Sequence, residues 1–170
     1  MPFEESCKKT YELNALCHTY FIVKEEGQEI NWRKPLVQKK QITTSVKLAK
    51  FPFSEGAMRY TFYMNDLELE DGHEMVAKLP KDINPKSYNL EIMSKDIEAM
   101  VLCQHIVNEF NERIIGKQDQ KLLTEFVFSY IYEFTDPDVK YKYAYAENFI
   151  LGKYQKYNNN AGWRTTKDST

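Results

Sequence analysis

Phe51-Pro52-Phe53-Ser54-Glu55-Gly56-Ala57-Met58-Arg59, followed a little later by Glu74-Met75-Val76-Ala77-Lys78, is the stretch from which the fold is read. It reads as a strand, a turn containing a glycine, a return strand bearing an arginine, and a third strand ending on a lysine. Gly56 has no Cβ, tolerates φ > 0 and lets other groups approach the backbone. Arg59 and Lys78 place two cations near that turn. Amides and cations together offset the charge of a polyphosphate. A lone glycine is a weak motif, and an ordinary hairpin with surface basic residues accounts for the same pattern.

The flanking sequence supports strands on both sides. Ile42, Thr44, Val46 and Leu48 alternate with polar residues, the period of a half-buried strand. Met58 to Met64 is rich in aromatic residues and reads as the return strand, with a turn starting at Asn65-Asp66 and an acidic loop from Leu67 to Gly72. In Glu74 to Leu79, Met75 and Ala77 share one face while Val76 and Lys78 share the other. Lys78 therefore stands beside an apolar residue, and a lysine taken out of water needs an anionic partner. That partner is either a carboxylate or a phosphate.

From Tyr88 to about Ile114 the period becomes helical, with Met93, Ile97, Met100, Val101, Val107 and Phe110 on one stripe and Ser87 or Ser94 as candidate cap. Asp96 and Glu98 lie on this helix; by spacing alone they read as solvated acids, and either could reach back to Lys78 or Arg59. Phe126 to Phe134 is nearly all aromatic or β-branched and is the strongest strand signal. After the Asp136-Pro137-Asp138 turn, Lys140 to Phe149 alternates Tyr141, Tyr143 and Tyr145 against Ala144 and Ala146, as a hairpin partner would. Residues 1–31 are less legible: Glu12 to Cys17 reads as a short helix and Thr19 to Val23 as a short strand.

Composition excludes several classes. At 170 residues with 42% hydrophobic content, one globular domain is expected. A net charge of −2 gives no bulk attraction to nucleic acid or anionic membrane. No apolar run reaches transmembrane length, and the N-terminus lacks a signal-peptide pattern. Cys7, Cys17 and Cys103 form no Cys-x-x-Cys pair, which fits reduced thiols and a cytoplasmic location. His18, His73 and His105 have no metal-ligand spacing.

Pro-Phe-x-x-Gly-Ala-Met-Arg (52–59) and Met-Val-Ala-Lys (75–78), with Asp96, Phe110-Asn111, Glu147 and Tyr157 to Gly162 following in order, resemble the α-kinase family of atypical protein kinases. The resemblance covers roughly Trp32 to Trp163. It implies an α+β fold, the kinase-like N-terminal lobe, with an antiparallel β-sheet and one long packed helix. The implied division is an extension over 1–31, the lobe over 32–163 and a loose tail over 164–170. The implied activity is phosphoryl transfer from ATP to a protein serine or threonine. By the same resemblance the ATP-binding residues are Gly56, Arg59, Lys78, Asp96, Glu147 and Ile150. Asp96 is implied as an ion-pair partner that positions a phosphate-contacting cation, and Glu147 to Ile150 as the hinge whose main chain reads the adenine. Met100 stands where the family usually has glutamine.

Phosphoryl transfer also needs bound metal and a group that orients the nucleophile. The family supplies these from a C-terminal lobe, and no Asp-x-Gln-Gly segment or His/Cys cluster occurs in these residues. The catalytic residues and the Mg ligands are therefore expected outside this chain. Weak Mg-ATP binding, no phosphoryl transfer by this chain alone, and self-association through an exposed inter-lobe face follow as expectations. The other reading is a non-catalytic remnant that binds nucleotide weakly or only binds protein.

Overall fold

The computed structural model describes residues 9–23, 30–31, 35–69, 74–115, 123–153, 155–158 and 161–164. Gly27, Trp32, the end of the expected acidic loop at Glu70 to Gly72, Gly116 to Asp119, Asn159, Asn160 and residues 165–170 lie outside them. In chain order the elements are β1 (Thr10–Ile22), β2 (Val37–Ala49), β3 (Ser54–Glu55), β4 (Arg59–Asp66), β5 (Glu74–Pro80), α1 (Leu90–Ile114), β6 (Ser129–Phe134) and β7 (Tyr143–Asn148). The strands form one antiparallel sheet in the order β2-β1-β6-β7-β5-β4-β3. The expected antiparallel sheet and single long helix are both present. The sheet is not open, however: Val46 to Leu48 of β2 also pair with Met64 to Asp66 of β4, which closes it into a barrel.

Closure explains the two-residue period. Alternate side chains of every long strand point inward, and Ala15, Cys17, Val46, Met64, Met75, Ala77, Leu79, Tyr132, Ala144 and Ala146 fill the interior. Ala77 sits opposite Ala146 in the register, leaving room for Met64, Met75 and Tyr132. The other faces point outward. There α1 lays Met93, Ile97 and Val101 against Tyr20, Ile131 and Tyr145. The Tyr20 hydroxyl bonds Ser94 Oγ at 2.6 Å and pins the helix to β1. Only the first half of the helical stripe is covered, and Phe110 stays exposed. At the far end Asn111 grips the approach to β6 through Thr124, donating to its carbonyl at 2.7 Å and accepting from its N–H at 3.2 Å.

Three local expectations change. Glu12 to Cys17 is not helical but part of β1, paired with β2 along its whole length and with β6 over Ala15 to His18. Leucine and alanine favour helices only weakly, and strand partners on both sides override that preference. The helix is capped by Asn89, whose side chain accepts from Ile92 N–H at 3.0 Å, rather than by serine. Asp66 ends β4 instead of opening a turn. It is fully buried, accepting from Thr44 Oγ1 at 2.5 Å, Tyr132 OH at 2.7 Å and Glu68 N–H at 3.0 Å. Nearby, burial pushes the Cys17 thiol up to about 11, which leaves it protonated and inert.

Candidate nucleotide site

The glycine turn is a hairpin. Ser54 and Glu55 pair with Thr61 and Tyr60, and Gly56 N–H donates to the Arg59 carbonyl at 2.8 Å. Gly56 itself is not left-handed; among the described glycines only Gly152 and Gly162 have positive φ. A Cβ at Gly56 would meet only the Arg59 carbonyl, at 3.9 Å. Neither backbone strain nor crowding within the protein therefore requires glycine. The space beside Gly56 is otherwise open.

Beyond the turn, strand alternation puts Arg59, Thr61 and Tyr63 of β4 on the outer face, beside Val76 and Lys78 of β5 and Tyr145 and Glu147 of β7. In the register Thr61 faces Lys78, Lys78 faces Tyr145, and Val76 faces both Tyr63 and Glu147. Two groupings result. In the first, the Arg59 guanidinium lies over the Tyr145 ring at 4.3 Å, and the Tyr145 hydroxyl donates to Asp96 Oδ2 at 2.6 Å. Burial, reinforced by Asp96, raises the Tyr145 hydroxyl well above the usual tyrosine value, so it remains a donor. In the second, Lys78 Nζ donates to Glu147 Oε2 at 2.5 Å while Ser129 Oγ donates to Glu147 Oε1 at 3.2 Å. The Lys78 and Glu147 side chains are 31% and 18% exposed, so the pair is partly screened.

Lys78 thus has the partner its position demanded, a carboxylate. Asp96 has a different role from the expected one. No ion pair links it to Arg59 or Lys78 among the described residues, and it acts on Arg59 through the tyrosine between them. Tyr145 stands between Asp96 and Arg59, its hydroxyl on the carboxylate and its ring under the guanidinium. Glu147, expected to contribute main chain, also commits its side chain. Ile150 lies past the end of β7 and is 66% exposed, just after Phe149, whose N–H donates to the Glu74 carbonyl at 2.9 Å.

Sequence reasoning missed Tyr145, Ser129 and an aromatic cluster. The Phe53 ring stacks on Tyr63 with centroids 4.0 Å apart, and Phe149 meets Tyr63 edge-on at 5.7 Å. The cluster ties the flank of the glycine turn to the segment after β7. Its signal was present: the two-residue period from Arg59 carries Tyr63 onto the same face. Among the described residues no group of three or more His, Cys, Asp or Glu side chains is placed to hold a metal ion. Nor is any described helix long and apolar enough to cross a membrane.

The model of the Alpha-kinase family matches residues 54–170. Alpha-protein kinase 1 of Dictyostelium discoideum is 36% identical over 129 residues, covering 75% of this chain and 9% of that protein. Alpha-protein kinase vwkA of the same organism is 31% identical over 123 residues, covering 72% of this chain and 19% of that protein. The chain therefore spans less than a fifth of these relatives. Among solved structures, the α-kinase domain of myosin-II heavy chain kinase A in complex with AMP-PNP aligns with a TM-score of 0.68 at 19% identity. That alignment covers 94% of this chain and 69% of the solved one. The fold is therefore shared.

Proposed function

The chain belongs to the α-kinase family of protein kinases, and on that premise we propose that the outer face of β4, β5 and β7 grips ATP for phosphoryl transfer to a protein serine or threonine. The observation that carries this reading is the Arg59 guanidinium. It is seated on the Tyr145 ring beside Lys78, with no carboxylate in ion-pair range among the described residues. A guanidinium held flat and unpaired presents a fork of donors suited to phosphate oxygens. Lys78, held by Glu147, supplies the second cation, and the open space above Gly56 admits the phosphates close to the backbone. The adenine lies along Val76 and the Tyr63–Phe149 edge, read by main chain from Glu147 to Ile150. The ADP and AMP-PNP complexes of myosin heavy chain kinase A support nucleotide as the ligand class.

On this reading the closed sheet, β1 included, works with α1 in the cytoplasm and supplies the grip on ATP. Among the described residues no group of three or more His, Cys, Asp or Glu side chains gathers near the two cations. No metal-dependent step is assigned to them. A nucleotide-binding module without catalysis of its own is the second reading. Exposed Met58, Ile150 and Leu151 border the face and give it an apolar margin through which the chain self-associates.

Calorimetric titration of the 170-residue chain with ATP tests the grip. Weak, saturable binding that is lost in Arg59→Ala and Lys78→Ala, with unchanged circular dichroism, is the expected result. Affinity unaltered in both variants would place the nucleotide elsewhere. Incubation with γ-labelled ATP and a basic protein separates the two readings of catalysis: Lys78-dependent labelling would show that these residues suffice for transfer.

A further inference from the structure

We propose that the open end of the barrel is a binding site for an amphipathic carboxylate, a long-chain fatty acid or close analogue, distinct from the nucleotide face. A cavity of about 760 Å³ opens there, within the range typical of small-molecule sites, roughly 300–1,000 Å³. Its floor is the inner face of the barrel itself, with Leu13, Leu48, Phe62 and Leu79. Tyr11, Tyr60 and Tyr141 form its walls. At this end Leu13, Tyr60, Val139 and Tyr141 pack against the core cluster but stay partly exposed, so apolar surface continuous with the core lines an open volume. A body of hydrocarbon fits that lining; a polyphosphate does not.

The rim selects the head group. Lys50 lies over the Tyr11 ring at 4.9 Å and Lys140 over the Tyr141 ring at 5.1 Å, both lysines lining the cavity. Neither makes an ion pair with a carboxylate among the described residues, unlike Lys78, Lys81, Lys95 and Lys142. Two carboxylates share the rim. Asp136 is already engaged, accepting from Asn14 N–H at 2.6 Å and from Asn14 Nδ2 at 3.3 Å. Asp138 is exposed on the turn and opposes an anion. The formal charges of the rim balance, two lysines against two carboxylates; with Asp136 turned to Asn14, the anionic head is taken up by the lysines, which have no ion-pair partner among the described residues.

The site shares its walls with the nucleotide face. Tyr60, Phe62 and Leu79 point into the cavity, while their sequence neighbours Arg59 and Lys78 point to the opposite side of the same strands.

The test uses the full chain and 11-(dansylamino)undecanoate as fluorescent probe, with decanoate and decan-1-ol as competitors. Saturable one-to-one binding is expected, displaced at least about tenfold more effectively by decanoate than by the alcohol, a difference of one decade in affinity. Leu13→Trp, on the inner face, fills the cavity and should abolish binding; Lys50→Gln with Lys140→Gln should weaken it several-fold; Asp138→Asn should tighten it. Because Leu13→Trp could disturb folding, methyl NMR of the unaltered chain provides an independent reading. Decanoate should shift the Leu13, Leu48 and Leu79 methyls and leave Ile97 and Val101 under the helix unmoved. Non-saturable binding, equal displacement by the alcohol, or methyl shifts confined to the helix side would overturn the proposal. So would unchanged binding in a folded Leu13→Trp variant. Arg59→Ala, which disables the nucleotide face, should leave probe binding intact, so failure of one site is distinguishable from failure of the other.

Discussion

Tyr145 holds Arg59 by its ring and Asp96 by its hydroxyl, and two substitutions separate these roles. Tyr145→Phe removes the 2.6 Å bond to Asp96 and keeps the face on which Arg59 lies. A hydrogen bond to a charged group contributes about 1.5–3 kcal/mol, but exposed Asp96 regains water, so about 1 kcal/mol of stability should be lost. Tyr145→Leu removes the π face as well. A cation over a ring contributes about 0.5–2 kcal/mol, and losing it frees the guanidinium to leave its seat. With 1.4 kcal/mol per decade, ATP affinity should fall by about 2- to 30-fold in Tyr145→Leu and by clearly less in Tyr145→Phe. Calorimetric titration of both variants, with thermal melts as a folding control, reads the difference. A cycle with Arg59→Ala should be strongly non-additive, since both changes act on one contact. Equal losses in the two variants, or additivity in the cycle, would refute the idea that the ring positions the arginine.

Glu147→Gln should keep a hydrogen bond to Lys78 while removing the countercharge, shifting ATP affinity less than Lys78→Ala does; titration checks the ranking. Asp66→Ala strands the Thr44 and Tyr132 hydroxyls inside the barrel and should cost about 2–5 kcal/mol in urea unfolding, with Asp66→Asn markedly milder. The fully buried His18 has its pKa lowered, first by burial and then by Lys39, against the opposing pull of Glu133. The folded state therefore binds this proton less readily than the unfolded one. The stabilisation is complete above the unfolded value of about 6.5 and is lost as pH falls towards the lower folded value. Melting curves between pH 8 and 5 should show that loss, and His18→Gln should flatten it.

Much of the outer architecture was readable because burial imposes a period. Ile42 to Leu48, Glu74 to Leu79 and Tyr143 to Ala146 each show one apolar side, and each is a strand whose apolar side faces the barrel or the helix. β1 was not readable, because Leu13, Ala15, Leu16 and Cys17 put small or aliphatic groups on both faces, where helix and strand patterns coincide. At the site, the need of Lys78 for an anion followed from its apolar neighbour. Which anion it would be did not follow, because the Lys78–Glu147 contact joins strands 69 residues apart in the chain. Tyr145 hid within a tyrosine stripe whose members look alike until the helix covers one of them. Asp66 looked like an ordinary turn acid, and only closure of β2 onto β4 encloses it.

That closure also dictates an order of assembly. The β1–β2 hairpin joins neighbouring segments over 13 paired positions and forms from local contacts. Its other seam, β1 against β6, brings together residues as distant as His18 and Glu133, 115 apart. Such high contact order slows folding into the millisecond-to-second range. Until β6 and β7 arrive, β1 and β5 carry unsatisfied edges and the inner faces of Val46, Met64 and Met75 lie open to solvent and to other chains. The last strands to be synthesised are therefore the ones that seal the sheet. Slowing translation between residues 80 and 129 should lengthen the life of an open, aggregation-prone intermediate.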